Sequence, residues 1–314
     1  MENNIELKIW GTRGSVPCGS AEFMKFGGDT SSYTLQIGDV LRFLDAGTGI
    51  TRASQKLTPE INRAYLNLSH GHADHLNMGC AGSMYFNNLE NGIYITGNEN
   101  AKNSLDKFFD GKDLWPVPLS QLGGLNKSFH LLEGGETVQY SDSEMQTLAN
   151  YHPPKGMGGS IGYRFNIPTA DGNVSVVYTT DMDFDYTPGG IVQPKSAEMK
   201  SAYVDFIRGA DILLADTQNT NEEYNVTTKF VRGFGHPTVE QIVDLANEAD
   251  VKTIIGTHHS PSHNDELMSS LETHVRDYAT GEGFRGDFVY ARDGMTISLG
   301  NTPLKRAGSY ELAA

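Results

Sequence analysis

Four strand-like segments of this 314-residue chain end on a side chain that binds metal ions. "AYLNLSH" ends at His70, "TLANYH" at His152, "VVYTTD" at Asp181 and "TIIGTH" at His258. Strand ends aim side chains at one rim of a sheet, where loops can assemble a site. The pattern calls for strands whose ends meet at one edge. Neutral imidazoles together with carboxylates suit zinc, manganese or iron.

The first segment runs into "LSHGHADHLNMG", which holds three of the chain's 10 histidines. His70 and His72 are two apart, so an extended turn can point both at one ion. Asp74 and His75 follow as the chain turns into a helix and can face a neighbouring ion. A carboxylate such as Asp181 can bridge the two. Two metals roughly 3.5–4 Å apart hold a hydroxide between them and stabilise the attacking and leaving oxygens. Alone, His152 would more often be a cap or core residue, and Asp181 a turn residue. A surface loop has little structural use for His-x-His-x-Asp-His, and that cluster raises the weight of the others. The pair His258–His259 leaves open which residue binds metal and which shapes the pocket. His263 and Asp265 could belong to the site but read more simply as a solvated turn, and His130 and His274 read as structural or surface residues.

Composition narrows the partners. The 24 Lys and Arg against 39 Asp and Glu give a net charge of −15. Such a chain gains nothing from bulk attraction to a polyanion, which argues against a long nucleic acid. Cys18 and Cys80 are the only cysteines, and read as reduced thiols of a cytoplasmic protein. The start "MENNIELKIW" lacks a basic region and a long apolar run, so no signal peptide is expected. No apolar run approaches ~18 residues, so no membrane span is expected.

Periodicity gives mixed strands and helices. "IELKIW" alternates as a half-buried strand, and "YTLQIGDVLRFLDAGTG" reads as a hairpin turning at Gly38-Asp39. "ITRASQKL", "HLNMGCAGSMYF", "ENAKNSLDKFFDG", "SAEMKSAYVDFIRG", "TVEQIVDLANEA" and "DELMSSLETHVRDYA" read as helices. Residues 1–300 are expected to form one domain and 301–314 a C-terminal tail.

The series "GTRGSVP", "FGGDTSSYTL", "FLDAGTGI", "SHGHADH", "YHPPKGMGGSIGYRF", "VVYTTD", "ADILLADTQNT", "GFGHPT" and "GTHHSPSHND" resembles the metallo-β-lactamase superfamily of dinuclear metal hydrolases. Within it, the chain is similar to the branch of ribonuclease Z and the bacterial cyclic-phosphodiesterase-like enzymes. The resemblance spans nearly the whole chain. It implies an α/β fold, a four-layer αββα sandwich with metals at one edge. It implies one metal on His70, His72 and His152, a second on Asp74, His75 and His258, and Asp181 between them. The cofactors implied are two Zn²⁺, with Mn²⁺ or Fe²⁺ also compatible. His236 sits where that branch has a non-ligand histidine at the scissile phosphate or leaving group, and Asp216 where an acidic residue supports it. Asp74, His236 and Asp216 are thus the implied catalytic residues, and Asp45 the implied support for the ligands.

Several positions depart from the ribonuclease Z pattern. Asp29 and Ser32 stand for Asn and Cys, Pro237 for Ser, and "ADTQ" for "HEAT"; no long Gly- and Lys-rich insertion is evident. The expected function is hydrolysis of a small phosphodiester, such as a cyclic nucleotide or cyclic phosphate, by a metal-bridging hydroxide. The alternatives are a hydrolase of a carbon electrophile (lactone, thioester or isothiocyanate) and an RNA-processing ribonuclease. A non-catalytic binding module is disfavoured by the complete ligand set. A small-molecule substrate, no membrane partner and a family-type homodimer complete the expectation. Lys155 or Arg164, in or near the Gly-rich stretch after His152, could meet an anionic group; Arg164 could equally pair with an acidic neighbour.

Overall fold

The computed structural model describes residues 4–87, 89–226, 231–299 and 311–312. The alternation in "IELKIWG" produces β1 (Ile5–Gly11), which pairs antiparallel with β2 (Ser32–Ile37). The chain turns at Gly38-Asp39, with Gly38 at φ 58°, into β3 (Val40–Leu44). β4 (Arg63–Leu68), β5 (Ile93–Gly97) and β6 (Leu125–Leu131) add in parallel. On the other side of β1 lie β16 (Met295–Leu299) and the two-residue β17 (Glu311–Leu312), giving an eight-stranded sheet. Part of the expected tail thus returns to the sheet edge, while the rest of 300–314 lies outside the described residues.

A second, seven-stranded sheet contains β7 (Thr137–Gln139), β8 (Glu144–His152), β9 (Gly156–Thr169) and β10 (Gly172–Thr179) as an antiparallel meander. β13 (Ile212–Asp216), β14 (Thr253–Thr257) and β15 (Asp287–Tyr290) extend it in parallel from β10. A small hairpin, β11 (Tyr186–Thr187) with β12 (Ile191–Val192), stands apart.

The two sheets face each other across a core in which Ile5, Leu7, Ile9, Tyr33 and Leu35 meet Ile161, Tyr163, Phe165, Val176 and Leu214. Behind the second sheet, Val177, Leu213 and Ile254 pack on α3 (Ser196–Ile207), α5 (Val239–Glu248) and α6 (Asp265–Gly281). Behind the first, Phe43, Leu66 and Ile95 pack on α1 (Ile50–Ala53) and α2 (Glu99–Phe108). The order is helix, sheet, sheet, helix: the expected αββα sandwich. Neighbours along β10 and β13 alternate between two buried faces, so these strands read as continuous apolar runs. Side chains of Asn98, Thr238 and Asn264 cap α2, α5 and α6, each accepting a backbone N–H three residues on.

One expected helix is absent. "HLNMGCAGSMYF" forms two short 3-10 segments, Met78–Cys80 and Gly82–Phe86. Gly79 and Gly82 each weaken an α-helix by about 1 kcal/mol relative to Ala. The entry is also tied to the sheet, since Asn77 N–H donates to Ala46 O at 2.6 Å.

Candidate metal centre

The register Leu44↔Asn67 in the first sheet and Thr179↔Ala215, Asp216↔Thr257 in the second ends β3, β4, β10, β13 and β14 along one edge. Beyond those ends the backbone turns sharply. Asp45, Asp181 and His258 have φ of 58°, 51° and 59°. Asp and His tolerate the left-handed region better than most residues, yet each such position costs about 1–3 kcal/mol. Three on one rim indicate a site that the surrounding packing holds in place.

The structure brings His70, His72, His152 and Asp181 together, their donor atoms all within 4.8 Å of one another. Asp74, His75 and His258 form a second such group. Asp181 lies between them. Its Oδ1 is 3.8 Å from His70 Nε2 and 3.6 Å from His152 Nε2, while its Oδ2 is 3.0 Å from His75 Nε2 and 3.3 Å from His258 Nε2. One carboxylate therefore presents one oxygen to each group.

Around the cluster, hydrogen bonds fix the rings. Asp45, fully buried, accepts the Ser69 N–H (2.6 Å), the Ser69 hydroxyl (2.7 Å), His75 Nδ1–H (2.7 Å) and the Tyr178 hydroxyl (2.6 Å). The Ser69 oxygen in turn accepts from His70 Nδ1–H at 3.0 Å. Both hydrogen bonds engage Nδ1, so both rings turn Nε2 inward, the nitrogen a metal ligand would use. His152 Nδ1–H points to Gly235 O at 3.3 Å. Ser15 N–H donates to Asp74 Oδ2 at 2.7 Å, and Ser15 itself has φ 62°.

The donor set fits divalent cations. His70 Nε2 is buried without a hydrogen-bond partner, and His75 Nε2 lies 3.1 Å from His258 Nε2. A knot of inward lone pairs this dense is costly when buried unless something positive sits among them. Electrostatics carries the same message. Burial alone would raise the Asp181 carboxyl, but His258, His75 and His70 hold it well below the usual range. Burial opposes charge on His75, yet Asp181, Asp74 and Asp45 raise it well above its ordinary value. Burial, followed by the neighbouring His75, pushes His70 well below. His152 is lowered to about 4, chiefly by burial.

His236 stands beside this cluster and donates Nδ1–H to Asp216 Oδ2 at 2.8 Å, which leaves Nε2 for the cleft. Burial would lower its pKa, but Asp216 and then Asp181 raise it to about 9. Asp216 Oδ2 also accepts the backbone N–H of Asp181 at 3.2 Å, which ties this carboxylate to the turn that carries Asp181. The cluster opens into a cleft of about 580 Å³ lined by Ser15, His72, Asp74, His152, Asp181 and His236, with an apolar wall of Pro153, Pro154, Pro188 and Phe234. No Lys or Arg lines it among the described residues.

The neighbouring residues divide differently. His259 turns away, its Nε2–H donating to Ala291 O at 2.9 Å. His263 is not solvated: it is buried, with Nε2 2.6 Å from Glu223 Oε1, because Glu223 closes the first turn of a short helix against it. Asp265 accepts the backbone N–H groups of Lys25 and Phe26 and so anchors a loop. Arg164 neither reaches the cleft nor pairs with an acid. It donates to Asn166 Oδ1 and to the carbonyls of Phe206 and Arg208, satisfying the C-terminal end of α3. Lys155 is exposed and outside the cleft. His130 and His274 are exposed. Sequence reasoning missed Tyr178, Ser69, Ser15 and Phe234. Tyr178 carried a signal: a polar tip on an inward-facing strand position three residues before Asp181.

Fold and donor cluster together define a metallo-β-lactamase-type fold whose strand ends carry two adjacent His/Asp groups suited to divalent ions. No family model matches the chain. Ribonuclease Z of Thermoplasma acidophilum is 26% identical over 293 residues, covering 84% of this chain and 89% of that protein. Yeast PDE1 superposes with a TM-score of 0.67 at 14% identity, over 95% of this chain and 100% of that one. The metallo-β-lactamase fold protein YhfI from Bacillus subtilis gives 0.64 at 16% identity, over 95% and 100%. The chain therefore has the metallo-β-lactamase fold and is similar in sequence to ribonuclease Z. Among the described residues no helix is long and apolar enough to cross a membrane.

Proposed function

We propose that the protein hydrolyses small phosphodiesters, cyclic phosphates among them. The observation that carries this reading is the placement of His236, paired to Asp216, beside a carboxylate that faces two donor groups at once. His70, His72 and His152 would hold one ion and Asp74, His75 and His258 the other, with Asp181 serving both; the mixed donors favour zinc, with manganese or iron compatible. Two such ions supply a water that ionises near pH 7 and positive charge for the negative charge that builds on the substrate.

The chain's own residues do the rest. Asp45, Ser69 and Tyr178 hold the rings in register. Asp74, steadied by the Ser15 N–H, is placed to accept a hydrogen bond from the attacking water. His236 holds a proton at Nε2 for the leaving oxygen, and Asp216 orients its ring and stabilises its charge. A cleft lined by no Lys or Arg among the described residues suits a singly charged diester better than a polyanion.

A ribonuclease reading is favoured by one observation, the likeness to Thermoplasma ribonuclease Z over 84% of the chain. A panel of bis-p-nitrophenyl phosphate, 2′,3′-cyclic phosphates, a structured RNA with a 3′ trailer, lactones and thioesters separates the readings. Turnover of the small diesters is the expected result. Activity confined to the RNA, or to carbon esters, overturns it.

A further inference from the structure

The segment "GFGH" sets an aromatic ring two residues before His236. Gly233 and Gly235, at φ 76° and 95°, pin it from both sides. A Cβ on Gly233 would lie 2.0 Å from Thr187 O, and one on Gly235 2.1 Å from His152 Nδ1, so neither position accepts a side chain. Gly233 N–H also donates to Asp183 Oδ2 at 3.1 Å, and Gly235 O contacts His152 Nδ1 at 3.3 Å. The backbone is therefore held, yet Phe234 leaves 61% of its surface in solvent and lines the cleft. Folding leaves this ring unburied at a braced position, where a ligand can bury it. Pro153, Pro154 and Pro188 continue the apolar wall, and among the described residues no Lys or Arg lines the cleft to grip a second phosphate.

We propose that Phe234 is a specificity-determining residue that stacks a planar aromatic group of the substrate, a nucleobase, beside the leaving oxygen served by His236. The substrate class is then a nucleoside phosphodiester rather than an aliphatic one. This rests on the phosphodiesterase reading for its catalytic consequence, but the stacking contact is testable by binding alone. Aromatic stacking on a base is sequence-tolerant, since every base offers a π-face.

Calorimetry on the metal-loaded protein, with adenosine 5′-monophosphate and ribose 5-phosphate, tests the contact without turnover. The wild type is expected to favour the nucleotide by about 10-fold or more. Phe234→Ala is expected to abolish that preference with ribose phosphate binding unchanged, and Phe234→Trp to keep it. Equal wild-type affinities overturn the inference, as does an Ala variant that weakens both ligands together. In kinetics, Phe234→Ala should raise KM on a nucleoside 2′,3′-cyclic phosphate about 10-fold, with kcat nearly kept and glycerol cyclic phosphate unaffected. A nucleotide preference in a protein that cleaves no diester would sink the proposed function and leave the stacking contact standing.

Discussion

On the floor of the cleft, Asp45 is fully buried and accepts four hydrogen bonds; on the rim, Phe234 leaves 61% of its surface in solvent. The floor joins strand ends from both sheets, and its Asp45, Asp181 and His258 accept a costly backbone conformation. The rim is an apolar wall on connecting segments, with Pro153, Pro154, Pro188 and Phe234 offering shape and surface. The difference separates two jobs. Reaction chemistry requires side chains fixed to fractions of an ångström, so it is built on strand ends and braced from behind. Substrate choice is made by loops, which can vary without disturbing that frame.

The contrast is most sharply broken at Asp181. Asp181→Ala should reduce metal content from about two ions per chain to one or fewer and lower diester hydrolysis by ~10³-fold or more; elemental analysis beside kcat checks both. Retention of both ions would remove the carboxylate from its place between the sites. His236→Asn should keep the metals and lower kcat by ~10²–10⁴-fold. The proton-donor role proposed for His236 also fixes the sign of a pH effect. His236 is protonated below its raised pKa of about 9, so the wild-type rate falls as pH rises through that value. Bound cations oppose its charge, which places the limb at or below about 9; the variant should lack it.

The braces should matter less than the ligands they hold. Asp45→Asn is expected to weaken metal affinity by ~10–100-fold, read by competition with a chelator. Tyr178→Phe removes one of the four bonds to Asp45 and should cost less, with the same readout showing a shift in the same direction. The rim change Phe234→Ala should leave metal binding untouched and alter only the discrimination between ring-bearing and aliphatic substrates.

The sequence carried the floor well and the rim poorly, for a physical reason. Strands ending on His70, His152, Asp181 and His258 announce themselves by periodicity and residue type, while the αββα layering was legible only through the resemblance of the motif series to a known superfamily. Tyr178 and Ser69 were not visible as braces, because a hydroxyl's partner depends on the distance between two sheets. His263 looked like a loop residue, since its contact with Glu223 spans 40 residues. The failed helix after His75 shows local apolar spacing losing to Gly79 and Gly82. Phe234 carried no signal in the sequence, because only the packing of its flanking glycines shows that its ring is held outward.

The most direct test of the two-ion floor is a crystal structure of the loaded protein with anomalous scattering recorded at a metal edge. Two peaks roughly 3.5–4 Å apart, with Asp181 between them and the imidazoles divided three and two, are the expected result. A single peak, or two peaks that do not share Asp181, would contradict it.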